Sequence, residues 1–197
     1  MVTQVHDTSC RSCGAVADIG QTKCLYCKQP ILISTFNSVY SMPMPMVNQY
    51  AVTYREALQS EPDAKDLNNM NAMCLLKLGL HEDAYDAFKQ AFKGYFDNPE
   101  SAFYAAICLL GGKKAFLCSR DKINEIEKLI KAALAIEPKG IYHYFWAYIK
   151  YDFFERKSLN TSPNYREALE KASAAGVSPH DVEQLFGILG VSRPEVM

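Results

Sequence analysis

The chain has 197 residues, 49% of them hydrophobic and 12% aromatic, with 21 basic against 22 acidic side chains. That composition supports a packed core and excludes wholesale disorder, a collagen-like repeat or a highly charged tail. A net charge of −1 supplies no global field for nucleic acid or an anionic membrane, so either partner would need a local patch.

The N-terminus, MVTQVHDTSC, lacks the basic-then-apolar pattern of a secretory signal, and no apolar run approaches the ~20 residues that span a bilayer. The expectation is a cytoplasmic protein with no membrane partner. Seven cysteines, an odd number, fit a fully paired disulfide framework poorly. Four of them lie close together as Cys10-Arg-Ser-Cys13 and Cys24-Leu-Tyr-Cys27. Each Cys-x-x-Cys turn sets two thiolates on one side of a knuckle, and a hairpin between the turns can gather all four around one tetrahedral ion.

Gly14 follows the first pair, where a knuckle commonly needs positive φ, whereas Lys28 stands at the matching place after the second. The segment resembles a short zinc ribbon, with Cys10, Cys13, Cys24 and Cys27 as ligands and residues 1–36 as its extent. Residues 31–36, β-branched and aromatic, would close it as a strand. Four thiolates leave no open position for water, so the Zn2+ would be structural. An iron centre of rubredoxin type would use the same ligands. Redox pairs or two disulfides are the rival readings, but a redox Cys-x-x-Cys expects a βαβ context absent here. Cys74 and Cys108 sit in apolar helical patterns as small buried hydrophobes, and Cys118 lies in a turn with no His nearby in sequence.

Residues 37–46, with alternating Met and Pro, predict an extended linker. From 47 to 197 the periodicity is helical, and it repeats at fixed spacings. Tyr54-Arg-Glu-Ala-Leu58 recurs as Tyr165-Arg-Glu-Ala-Leu169, and Ala84, Ile126 and Ala168 recur at one interval, as do Ala91, Ala133 and Ala175. These small residues mark expected helix crossings. Residues 65–98 resemble a tetratricopeptide repeat, with Ala72 and Ala84 at crossings, Gly79 in the turn, and Phe88 and Ala91 in the second helix.

The resemblance implies stacked antiparallel helical hairpins, a mostly α solenoid, with a lone helix at 46–60 before it. Two longer pairs follow, one with helices at 99–110 and 121–136 and one with helices at 141–157 and 163–175. Ser178-Pro179 starts a capping helix that runs to about 189. The resemblance also implies a concave groove for a protein or peptide partner, lined by Asn69, Met73 and Leu76, by Phe103, Ile107 and Leu110, and by Tyr144, Tyr148 and Tyr151. A one-residue shift would replace the last set with Phe145, Ile149 and Asp152. Aromatics occupy eight of the thirteen positions from Tyr142 to Phe154, on every helix face, which implies burial on all sides or an exposed face with another purpose.

Residues 99–157 carry ten basic against seven acidic side chains, and Lys113, Lys114, Arg120 and Lys122 cluster in one long turn as candidate anion contacts. The ribbon adds Arg11, Lys23 and Lys28 against Asp7 and Asp18. His6, His81, His143 and His180 are scattered, and no Walker-type loop or paired-histidine spacing is present, so enzymatic chemistry on a small-molecule substrate is not expected. The expected function is a non-enzymatic adaptor for a protein or peptide. A nucleic-acid regulator using the ribbon and the 113–122 turn is the alternative, and a labile zinc or redox sensor a third reading.

Overall fold

A computed structural model describes residues 9–10, 12–17, 21–33, 35–93 and 98–197. His6, Asp7, Arg11 and Asp18 lie outside the described residues. The chain divides into two compact units, Met1–Lys93 and Gly94–Met197. This boundary falls within the expected helical domain and places the cysteine segment in one unit with the first four helices.

In the first unit, α1 (Phe36–Ser41) and α2 (Met44–Ser60) follow the cysteine segment, then α3 (Lys65–Lys77) and α4 (His81–Phe92). The Met-Pro stretch is therefore not an extended linker. Thr35 caps α1 by accepting from the Ser38 amide, and Pro43 is the N-cap of α2 with Pro45 in its first turn. Proline breaks a helix interior but not a first turn, where the missing N–H has no intrahelical partner anyway. Phe36, expected at the end of a strand, is instead the buried first residue of α1.

Helix α3 packs against α1, α2 and α4, which accounts for its near-continuous burial from Leu67 to Leu76. The α3–α4 turn passes through Gly79 at φ +77, a left-handed conformation that a side chain disfavours. Lys77-Leu78-Gly79 thus ends one helix as the repeat resemblance implies. Ala72, Ala84 and Phe88 are fully buried.

The second unit contains α5 (Pro99–Leu110), α6 (Arg120–Ile136), α7 (Gly140–Ile149), α8 (Tyr165–Ala174) and α9 (Pro179–Leu189). Side-chain caps define most of the starts: Asn98 for α5, Ser119 for α6, and full capping boxes at Asn164/Glu167 and Ser178/Asp181 for α8 and α9. Consecutive helices from α5 to α8 pack on one another, and α9 returns against α5 and α7. Gly140 permits the closest approach: a Cβ there would meet Val177 N at 2.6 Å and Ala172 O at 2.9 Å, both backbone atoms.

The expected helix at 141–157 is α only to Ile149. It continues as a π-helical turn over Lys150–Phe154 and a 3-10 turn over Glu155–Lys157. Two buried ionic groups accompany the change. Lys150 Nζ lies 2.6 Å from Glu127 Oε1, which also accepts from Trp146 Nε1 at 2.8 Å, and Lys150 further donates to the Thr161 hydroxyl. Asp152 accepts from the Phe116 amide at 2.8 Å and pairs with Arg156. Asp152 thus ties the turn before α6, and Lys150 the turn before α8, to the aromatic helix.

The positions expected at helix crossings are buried throughout in one set and not in the other. Ala84, Ile126 and Ala168 are all fully buried. Of Ala91, Ala133 and Ala175 only Ala133 is, because Ala91 lies in the last turn of α4 and Ala175 is the C-cap of α8. The two Tyr-Arg-Glu-Ala-Leu echoes are also not equivalent: Tyr54 is buried deep in α2, while Tyr165 is the first residue of α8. Among the described residues no helix is long and apolar enough to cross a membrane.

Candidate metal centre

The two cysteine turns fold as near copies. Cys10 N donates to Ala15 O (2.8 Å) and Gly14 N to Cys10 O (2.7 Å), while Cys24 N donates to Gln29 O (2.9 Å) and Lys28 N to Cys24 O (3.0 Å). Each knuckle is closed by one isolated antiparallel bridge, Ser9 with Val16 and Lys23 with Pro30. No strand occurs among the described residues, so the expected β ribbon is reduced to these bridges. The Ile31 amide still bonds across to Thr22 O within the second bridge, but beyond it Ile33 N is taken by a tyrosine hydroxyl instead of a ladder partner.

All seven cysteines are unpaired. The sulfurs of Cys10, Cys13, Cys24 and Cys27 lie within 4.8 Å of one another, with Cys10–Cys27 at 3.5 Å and Cys13–Cys24 at 3.6 Å. A tetrahedron with metal–sulfur bonds of about 2.3 Å has edges of about 3.8 Å, so the donor set fits a tetrahedral ion and is too open for disulfides of about 2.05 Å. Buried Ala17 and Ile31, with Ala15 beside them, line the cluster.

Backbone amides prepare the sulfurs for negative charge. Those of Cys13 and Ser12 hold the Cys10 thiol below its ordinary range. Those of Cys27 and Tyr26 bring Cys24 down to about 6. At Cys13 the Ala15 amide pulls the same way, but the neighbouring sulfurs and burial outweigh it and push the thiol up to about 12. Four sulfurs this close cannot all ionise unaided, and a bound cation is what would allow it.

Helix α2 carries the knuckles. Tyr50 donates its hydroxyl to Gln21 O (3.0 Å), and Tyr54 donates to Ile31 O (2.7 Å) while accepting from Ile33 N (3.2 Å). Lys23 and Glu56 add an exposed ion pair at 2.8 Å. Sequence reasoning missed both tyrosines. Their i, i+4 spacing marks one face of α2, yet nothing in it shows that the hydroxyls reach a backbone more than twenty residues upstream.

Lys28 adopts φ +63 where the first knuckle has Gly14 at +73, and its ammonium folds back onto Leu25 O at 2.7 Å. A left-handed non-glycine residue costs roughly 1–2 kcal/mol, partly offset by glycine's greater unfolded-state freedom. Lys28→Gly should therefore stabilise the protein by about 0.5–1 kcal/mol. Denaturant titration of the variant checks this, and an unchanged or lowered midpoint would refute it.

The residues expected in a groove are placed differently. Asn69, Met73, Leu76, Phe103, Ile107, Leu110, Tyr144 and Tyr148 are buried, as are the alternatives Phe145, Ile149 and Asp152. Only Tyr151 is half-exposed, edge-on to Tyr165 at 5.2 Å. Helices α3 and α7 are covered by neighbours on several sides, so their aromatic and aliphatic side chains form core. Lys113, Lys114, Arg120 and Lys122 are exposed as expected, and the fold brings Arg156 and Lys157 towards them from a segment more than thirty residues away. Cys118 stands among them, its thiol pushed up by burial while Lys122, Lys157 and Lys113 pull it down.

The molecule is thus a helical protein with a four-cysteine cluster that could hold a metal ion. No protein-family model, curated protein or solved structure matches the chain.

Proposed function

We propose that the protein is a non-enzymatic cytoplasmic adaptor: a zinc-stabilised N-terminal module on helical hairpins resembling tetratricopeptide repeats, which captures a protein or peptide partner. The observation that carries this reading is the closed set of four sulfurs braced by Tyr50 and Tyr54. Cys10, Cys13, Cys24 and Cys27 would hold the ion, which would supply folding energy and offer no open coordination position. The three remaining free thiols favour a reducing compartment. A protein partner is preferred over nucleic acid because the knuckles' Lys23 and Lys28 are engaged by Glu56 and by Leu25 O.

The test joins metal analysis to partner capture. Purified protein should contain one zinc per chain, and a partner recovered with it from its native host should bind the purified wild-type protein directly. Iron in place of zinc would overturn the metal assignment. Failure of every purified candidate to bind would overturn the adaptor reading.

A further inference from the structure

We propose that one face of the second unit, built from the turn after α5, the start of α6 and the 3-10 turn after the π-helical segment, is a docking surface for an acidic peptide segment bearing an apolar side chain. The proposal rests on the adaptor reading and gives the partner a chemistry and a place.

These three segments carry six cations: Lys113 and Lys114, Arg120 and Lys122, Arg156 and Lys157. Three of them are seated on rings. The Arg156 guanidinium lies 4.6 Å over Phe116 and is tied to Asp152, the Lys157 ammonium lies 3.9 Å over Phe153, and the Arg120 guanidinium lies 4.6 Å over Phe154. Such seating fixes a charge before a ligand arrives and lowers the ordering cost of binding. Lys122, Lys157 and Lys113, from three chain segments, all lie near enough to Cys118 to act on its thiol, as does the Asp152 carboxylate that pairs with Arg156. Among the described residues no carboxylate pairs with Lys113, Lys114, Arg120, Lys122 or Lys157, although Asp121 and Glu155 are exposed on the same segments.

In the midst of these charges Leu117 is 70% exposed, presented by the 3-10 turn Ala115–Leu117. This apolar side chain discriminates among polyanions. A nucleic acid would bring phosphates for the cations but nothing for the leucine, and the rings that stack bases elsewhere are here buried or already covered by cations. A lipid surface needs a broader apolar face than one leucine for interfacial binding. An acidic segment with one apolar side chain meets both features: carboxylates on the seated cations, an apolar contact on Leu117.

The experiment uses the full-length protein and a fluorescein-labelled peptide of Glu and Asp with two central leucines. The comparison probes are the same peptide with central alanines, a single-stranded RNA oligonucleotide, and phosphatidylserine-containing vesicles. The leucine peptide should bind best. Lys113→Glu combined with Lys122→Glu should weaken it about tenfold, and Leu117→Ser should reduce affinity for the leucine peptide but not for the alanine peptide. All three positions are exposed, so circular dichroism should confirm an unchanged fold. Equal affinity for the two peptides, indifference to the charge reversals, or tighter binding of RNA or vesicles would overturn the proposal. A native partner that binds wild-type and charge-reversed protein equally would overturn this surface and leave the adaptor reading standing. The absence of any direct partner would end both.

Discussion

Cys24→Ser should abolish metal binding by the proposed four-sulfur site and unfold the knuckles. Cys24 is buried, its sulfur sits 3.6 Å from Cys13, and two backbone amides already favour its thiolate. Among the described residues the apolar content around the four sulfurs is little more than Ala15, Ala17 and Ile31, far too small to hold a module by itself. Binding of a structural four-ligand ion supplies about 10–16 kcal/mol in comparable small sites, more than any single side-chain contact in the molecule. The expected result is loss of the metal in elemental analysis, together with loss of hydrogen-exchange protection at the Cys24, Lys28, Ile31 and Ile33 amides. Wild-type protection in a metal-free variant would refute it.

The second large effect should come from Glu127→Ala. Lys150 is 3% exposed, its ammonium 2.6 Å from Glu127, and the Trp146 indole donates to the same carboxylate. Removing that carboxylate leaves a buried cation with only the Thr161 hydroxyl and the Trp146 and Phe154 rings around it. A buried pair broken from one side costs about 3–5 kcal/mol, a large part of the ~5–15 kcal/mol that holds a typical domain. Glu127→Leu with Lys150→Met should be far milder, because both charges leave together. Denaturant melts of Glu127→Leu, Lys150→Met and the double variant close the cycle that gives the coupling energy, and a loss under about 1 kcal/mol for Glu127→Ala would contradict the network's importance.

The extents of α2, α5, α6 and α9, and the turn between α3 and α4, were legible in the sequence because their signals are local: the Ser178-Pro179 start, the glycine after Leu78, and apolar spacing along each helix. The cysteine cluster was legible for the same reason, since two Cys-x-x-Cys turns bring their own geometry. What stayed hidden was set by distant partners. Whether Tyr148 lines a groove or a core depends on α9, which places Phe186 edge-on to it at 5.4 Å. The π-helical turn answers to Asp152 reaching the Phe116 amide, thirty-six residues away in sequence. Proline misled the reading of residues 37–46 because its meaning reverses between a helix's first turn and its interior.

The two hydrogen bonds of Tyr54 also bear on timing. The hydroxyl clasps Ile31 O and Ile33 N directly beyond the second knuckle, so the cysteine turns cannot open far while α2 stays docked. An ion held by the four sulfurs would then leave at a rate gated by the undocking of α2 instead of by bond breakage at the metal. Chelator-driven release should accordingly become independent of chelator concentration once that undocking limits it, and Tyr54→Phe should raise the plateau.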